Sequence, residues 1–181
     1  MFYTQEQLKQ MGFKSIGENV LISDKTSIYG IKNIEIGSNV RIDDFCILSA
    51  GDGGIKIGNY VHIACYAHLI GSGQIIVDDH AQISGKVSIY SSSDDFSGDY
   101  LIGPTVPKEY TNVKNQKVHL KKYVVLGCNV VVLPGVTIDE GTAIGALSLV
   151  TKSLPGYGLY GGNPLRFLKE RTKGMQKYDI S

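Results

Sequence analysis

The chain has 181 residues, 43% of them apolar, and a formal charge of +1 at pH 7, which fits one globular domain with room for a core. So small a net charge gives no reason to expect nucleic acid or an anionic membrane surface as a partner. No run long and apolar enough to span a bilayer occurs, and no basic stretch followed by an apolar one opens the chain, so membrane insertion and a secretory leader are not expected and a cytoplasmic location is.

Residues 1–15 read as a helical cap. Thr4 and Gln7 have capping-box spacing ahead of Leu8 and Met11, and Gly12 follows as a stop. Such a cap would protect the open first turn of a solenoid.

From residue 16 to 155 a six-residue beat dominates. It is clearest in Leu120, Leu126, Val132, Ile138, Ile144 and Val150, with Val124, Val130, Val136, Thr142, Ser148 or Leu154 four positions after each. Neither the 3.6 period of a helix nor the alternation of a plain strand produces this beat. A coil of short flat segments does: each hexad is one side of a turn, one large residue points inward, and a second, mostly smaller residue points inward near the corner. Hexapeptide repeats of this kind are a signature of the parallel β-helix.

Upstream the beat continues through Ile16, Ile22 and Ile28; Ile36, Ile42 and Leu48; Ile57, Ile63 and Leu69; and Val77, Ile83 and Ile89. The turns start 20, 21 and 20 residues apart where three hexads would need eighteen, so a few extra residues sit at one corner of each. From Val77 to Leu120 the separation is 43, which places an extruded loop at about 90–117. A loop of that length in a compact domain is usually functional.

Three cysteines, Cys46, Cys65 and Cys128, are odd in number and not closely paired. They read as small buried hydrophobes and not as a disulfide framework or zinc cluster. In the segment 156–181, Asn163 can cap, Pro164 suits the first helical position, Leu165, Phe167 and Leu168 supply an apolar side, and Gly174 ends the run, so a C-terminal helix is expected.

The Ile-Gly-x-x-x-x hexads, the loop after the third hexad of a turn, the segment Leu126-Gly127-Cys128-Asn129-Val130-Val131-Val132-Leu133-Pro134-Gly135-Val136-Thr137-Ile138 and the ending Gly161-Gly162-Asn163-Pro164-Leu165-Arg166 together resemble the hexapeptide acyltransferases. The likeness is to the galactoside and polysaccharide O-acetyltransferases and the nucleotide-sugar N-acetyltransferases. It implies an all-β, left-handed parallel β-helix, a homotrimer with sites between neighbouring coils, and acetyl-CoA as acyl donor. The acceptor it implies is a hydroxyl or amino group of a sugar, in surface-polysaccharide (O-antigen) or nucleotide-sugar synthesis. It further implies a groove for the pantetheine arm along Gly127, Gly145, Ala146 and residues 148–152. Lys152, Arg166 and Lys169 would stand near the phosphates of coenzyme A, and Gly162 and Asn163 near its nucleotide. Arg171 is more simply a basic residue complementing a helix end.

Acyl transfer needs a group to receive the acceptor's proton. In galactoside-type relatives a histidine early in the loop does this. Here the loop reads Tyr90-Ser91-Ser92-Ser93-Asp94-Asp95-Phe96, with Asp94 approximately where that histidine would be. One reading gives Asp94 or Asp95 the role of base or acceptor positioner, against the plainer reading of a solvated turn. Another gives the role to His62 or His68, six apart and outward on successive faces of one turn, against plain surface histidines. His119 is a weaker candidate and His80 reads as a corner residue. Tyr90, Phe96, Tyr100 and Tyr110 could present flat faces to a sugar ring. No metal is expected, although a trimeric zinc carbonic anhydrase drawing on His62 and His68, or a non-catalytic scaffold, are the competing classes on this coil. The sequence leaves open oxygen against nitrogen as the acceptor atom.

Overall fold

A computed structural model describes residues 1–178 and 180. The six-residue beat becomes a three-faced coil. On the first face Ile16, Ile36, Ile57, Val77, Leu120 and Ile138 stack in parallel register. On the second face Ile22, Ile42, Ile63, Ile83, Leu126, Ile144 and Tyr160 do the same. The third carries Ile28, Leu48, Leu69, Ile89, Val132 and Val150. These are three sheets of six, eight and six strands, wound as a left-handed parallel β-helix around one apolar core. The smaller corner residues fill the remaining inward space: Val20, Val40, Val61, Ala81 and Val124 are buried at one corner, and Cys46, Ala67, Val87 and Val130 at the next. Burial of each large aliphatic residue is worth roughly 1.5–3 kcal/mol, so the regular inward column is what makes so narrow a solenoid stable.

Most corners that follow the first and second faces bend through a left-handed residue three positions after the large inward one. Asn19, Asn39 and Asn129 fill that slot in the expected way, but Phe45, Tyr60, Tyr66, His80, Lys86, Tyr123 and Leu147 also adopt positive φ. The conformation costs an L residue roughly 1–2 kcal/mol. Part of that cost is offset at one corner by a stack of rings, Tyr60 on His80 at 4.9 Å and His80 on Tyr123 at 5.2 Å.

The N-terminal helix, Gln5–Gln10, is fixed by a reciprocal box. The Gln7 N–H donates to Thr4 Oγ1 at 3.2 Å and the Thr4 N–H to Gln7 Oε1 at 2.8 Å. Leu8 is fully buried against the first turns.

Three expectations are corrected. The C-terminal segment is not a helix: Arg166–Glu170 is a strand, antiparallel to Gly158–Gly161, and only a short 3₁₀ turn, Gly174–Tyr178, follows. The coil runs one side further than residue 155, because Tyr160 takes the inward position above Ile144 and Phe167 packs edge-on against its ring at 5.5 Å. The reason is the open edge: the backbone of the last turn needs hydrogen-bonding partners, and a returning strand supplies them where an α-helix could not. The cysteines also divide. Cys46 is buried, its thiol pushed up to about 11 by desolvation, whereas Cys65 and Cys128 are exposed. Among the described residues no helix is long and apolar enough to cross a membrane.

Candidate active site

The extruded loop leaves the third face after Ser88–Tyr90 and returns at Val118–Leu120. Its root is clasped. Ser92–Ser93 pairs antiparallel with Lys114–Asn115, the buried Ser91 hydroxyl donates to the Gly73 carbonyl at 2.7 Å, and the Gln116 N–H returns to Ser91 O at 2.9 Å.

The two loop aspartates differ. Asp95 is buried within the loop, with Oδ1 accepting from the Ser97 N–H at 2.7 Å and Oδ2 from the Asn112 amide at 2.6 Å. Hydrogen bonds from Ser97 and then Asn112 hold its carboxyl below the usual carboxylate range, so it is a weak base with both oxygens occupied. Asp94, one residue earlier, faces a cleft of about 800 Å³ between loop and coil, whose walls include Ile70, Ser92, Val106, Lys108 and Asn115. Nonpolar walls with a few convergent polar groups are the usual character of a small-molecule site.

Neither coil histidine lines that cleft. His62, on the second face, shares its Nε2 with Asp43 Oδ2 at 2.8 Å, and Arg41 Nε donates to the other oxygen at 2.7 Å. Partial burial raises the Asp43 carboxyl, but these two bonds more than reverse it, leaving it below its ordinary value. His68 stands on the third face between Ile47 and Ser88, with no hydrogen-bond partner for its ring among the described residues. His119 bonds Asp78 Oδ2 at 2.8 Å on the first face, and His80 is held in the corner stack. Among the described residues no group of three His, Cys, Asp or Glu side chains is gathered for a metal. A second groove, of about 480 Å³, crosses the first face beside Glu35, Lys56 and Asp78 and contains none of the sequence candidates.

At the C-terminal end Gly127, Gly145, Ala146, Ser148 and Gly162, from among the residues expected along a donor groove or near its nucleotide, lie at one corner. A Cβ at Gly127 would lie 2.7 Å from the Ala146 nitrogen, so the turn itself requires that glycine. At Gly145 the nearest atom would be Tyr160 O at 3.4 Å, an ordinary contact, so the fold does not require glycine there. Ala146 and Leu147 are exposed beside it. The buried Ser148 hydroxyl ties the corner, donating to Gly145 O at 2.7 Å and accepting from the Gly162 N–H at 2.9 Å. Lys152, Arg166 and Lys169 are exposed and make no ion pair among the described residues. Arg171 instead donates to Gly141 O at 2.6 Å. Ser148 was expected along the groove, and its hydroxyl proves to be what ties the corner; Asn112 was not expected, and nothing local in the sequence hints at it.

Over 176 residues the chain is 53% identical to the dTDP-4-amino-4,6-dideoxy-D-glucose acyltransferase of Escherichia coli, a match covering 97% of this chain and 92% of that one. The chain belongs to the hexapeptide-repeat sugar acyltransferases. Within the family, galactoside O-acetyltransferase of Lactococcus lactis is more distant, at 30% identity over 130 residues, 72% of this chain and 59% of that one. Among solved family structures, AntD, an N-acyltransferase from Bacillus cereus in complex with dTDP and 3-hydroxybutyryl-CoA, superposes with a TM-score of 0.93 at 49% identity, covering 98% of this chain and 93% of that one. A variant of AntD in complex with dTDP-4-amino-4,6-dideoxyglucose and coenzyme A matches equally, with a TM-score of 0.93 at 48% identity, covering 98% of this chain and 94% of that one. No protein-family model matches the chain.

Proposed function

We propose that this acyltransferase moves an acyl group from coenzyme A to the amino group of a dTDP-linked amino sugar, and that Asp94 positions that amine. The observation that carries this is Asp94 facing the loop cleft while Asp95 is committed within the loop. An alcohol must lose its proton as it attacks, which calls for a strong base such as imidazole. An amine is already a nucleophile once neutral, so the site's main task is to hold and orient it, a contribution that can reach several kcal/mol. A carboxylate suits the task because it accepts hydrogen bonds from an ammonium or amine. As nitrogen adds to the thioester carbonyl, the C–N bond forms and the C–S bond breaks. The proton that nitrogen loses balances the one the departing thiolate gains.

In this reading the pantetheine arm lies along Gly127, Gly145 and Ala146, with Gly145 leaving the room. Lys152, Arg166 and Lys169 meet the phosphates, and Gly162 and Asn163 admit the nucleotide. His62 and His68 stay outside the chemistry. The molecule works as a homotrimer in the cytoplasm, where a neighbouring coil closes the cleft; light scattering at micromolar concentration tests the assembly. The names of the E. coli relative and of AntD support the acceptor class.

The experiment is direct. Purified protein is incubated with acetyl-CoA and dTDP-4-amino-4,6-dideoxyglucose, in parallel with the corresponding 4-hydroxy sugar nucleotide, and products are read by mass spectrometry. Gain of one acetyl group on the amino sugar alone is expected. Acetylation of the hydroxy compound at a comparable rate would overturn the amine assignment.

A further inference from the structure

Phe45, Tyr66, Lys86, Asn129 and Leu147 form one corner column, with φ of 61°, 63°, 61°, 59° and 60°. Inter-turn hydrogen bonds fix the order: the Tyr66 N–H donates to Asp44 O at 3.1 Å, the Lys86 N–H to Cys65 O at 3.0 Å and the Asn129 N–H to Gly85 O at 3.1 Å. Asparagine suits this slot. A bulky side chain at positive φ is a real outlier, and outliers of this kind gather where a protein needs a particular side chain for a task other than folding.

Core packing does not explain the two aromatics. Phe45 is 45% exposed and Tyr66 47%, and their rings stack on one another at 5.1 Å with 21° between planes. They make a flat plate on the outside of the coil. A cation stands at each end: Lys25 Nζ lies 5.3 Å from the Phe45 ring centre, and Lys86 is the next residue of the column beyond Tyr66. The neighbouring carboxylate, Asp44, is held by Lys25 at 2.8 Å, whereas Lys86 is exposed and makes no ion pair among the described residues.

We propose that the Phe45–Tyr66 plate with Lys86 is the docking place for a pyrimidine nucleoside diphosphate, the nucleotide half of the acceptor. The proposal rests on the reading that the acceptor is a nucleotide-linked sugar. Bases stack on exposed aromatic faces, and a lysine beside such a face supplies the charge that a diphosphate needs. Lys86 lies on the turn from which the loop departs.

The test uses the full chain, with dTDP and coenzyme A as separate calorimetric probes, in Phe45→Asn, Tyr66→Asn and Lys86→Gln. Asparagine relieves the backbone strain, so melting temperature should hold or rise in the two aromatic variants while the Kd for dTDP increases about tenfold or more. Lys86→Gln should weaken dTDP binding and flatten its salt dependence, and coenzyme A affinity should stay unchanged in all three. Unaltered dTDP affinity in both aromatic variants would overturn the plate while leaving the acceptor reading standing, provided the wild type binds dTDP. A fall in melting temperature or loss of the oligomer, with dTDP affinity kept, would show instead that the rings are packing residues. A wild type that acylates a free amino sugar and ignores dTDP would end both the plate and the nucleotide-sugar reading.

Discussion

Asp95 and Asn112 meet at 2.6 Å, carboxylate to amide, across the interior of the extruded loop. With the Ser97 N–H on the other oxygen, this contact sets the path of the chain from Asp94 onward. The two adjacent aspartates therefore separate by substitution. Asp95→Ala should lower hydrogen-exchange protection through residues 96–112 and raise KM for the acceptor, with coenzyme A affinity unchanged. Asp94→Asn should leave loop protection alone and lower kcat by about 10–100-fold. That is short of the largest losses expected on removing a general base, roughly 10²–10⁴-fold. A normal kcat in Asp94→Asn would remove it from the site.

The Asp95 contact also sets an acid limit. Its folded-state pKa lies below the unfolded value of about 3.9, so its contribution is fully present above that value and is lost as pH falls through the lower, folded pKa. Loop protection, corrected for the intrinsic exchange rate, should persist at pH 5 and begin to fail only below about pH 3.9. In Asp95→Asn the same curve should be flat. Failure of the wild-type loop already near pH 5 would contradict the hydrogen bonds assigned to Asp95.

Much of the coil was legible because its information is local and periodic. Ile36, Ile42 and Leu48 declare three faces without reference to any other turn, and the 43-residue gap from Val77 to Leu120 declares the loop. What escaped depends on partners far along the chain. Asn163 and Pro164 carry an honest helix-start signal, but the strand Arg166–Glu170 is decided by the open edge at Gly158–Gly161, which no local pattern records. In the loop, Asp94 and Asp95 look alike in sequence, and what distinguishes them is that Asp95 accepts from the Ser97 N–H and from Asn112, seventeen residues on. The coil histidines were drawn in by residue type, whereas His62 is turned to Asp43.

That arrangement gives a further expectation. His62→Asn and His68→Asn should each retain turnover within about threefold of wild type, because an amine acceptor does not call for an imidazole base. The His62–Asp43 pair is 42% exposed on the histidine side, so its loss should cost less than about 1 kcal/mol of stability. Steady-state kinetics and a thermal melt on each variant check both statements. A hundredfold loss in either one would return the general base to the coil.

The glycines at the donor corner allow the sharpest comparison, because two chemically identical substitutions should have opposite outcomes. In Gly127→Ala the new methyl meets the Ala146 nitrogen at 2.7 Å and Ile144 O at 2.9 Å, neither of which can withdraw without breaking the inter-turn register. Overpacking of this kind costs typically about 1–3 kcal/mol, so the melting temperature should fall. In Gly145→Ala the methyl meets only Tyr160 O at 3.4 Å and the Gly161 Cα at 3.7 Å, so folding should be unaffected. If the pantetheine arm crosses Gly145, however, that methyl stands in its path, and coenzyme A affinity should drop by about tenfold, close to 1.4 kcal/mol. Larger residues sharpen the contrast: Gly145→Val should nearly abolish binding while the coil still melts cooperatively. Calorimetry with coenzyme A and a thermal melt, run on all three variants, decide it. Unchanged affinity in Gly145→Val would mean that the donor arm runs elsewhere on the coil.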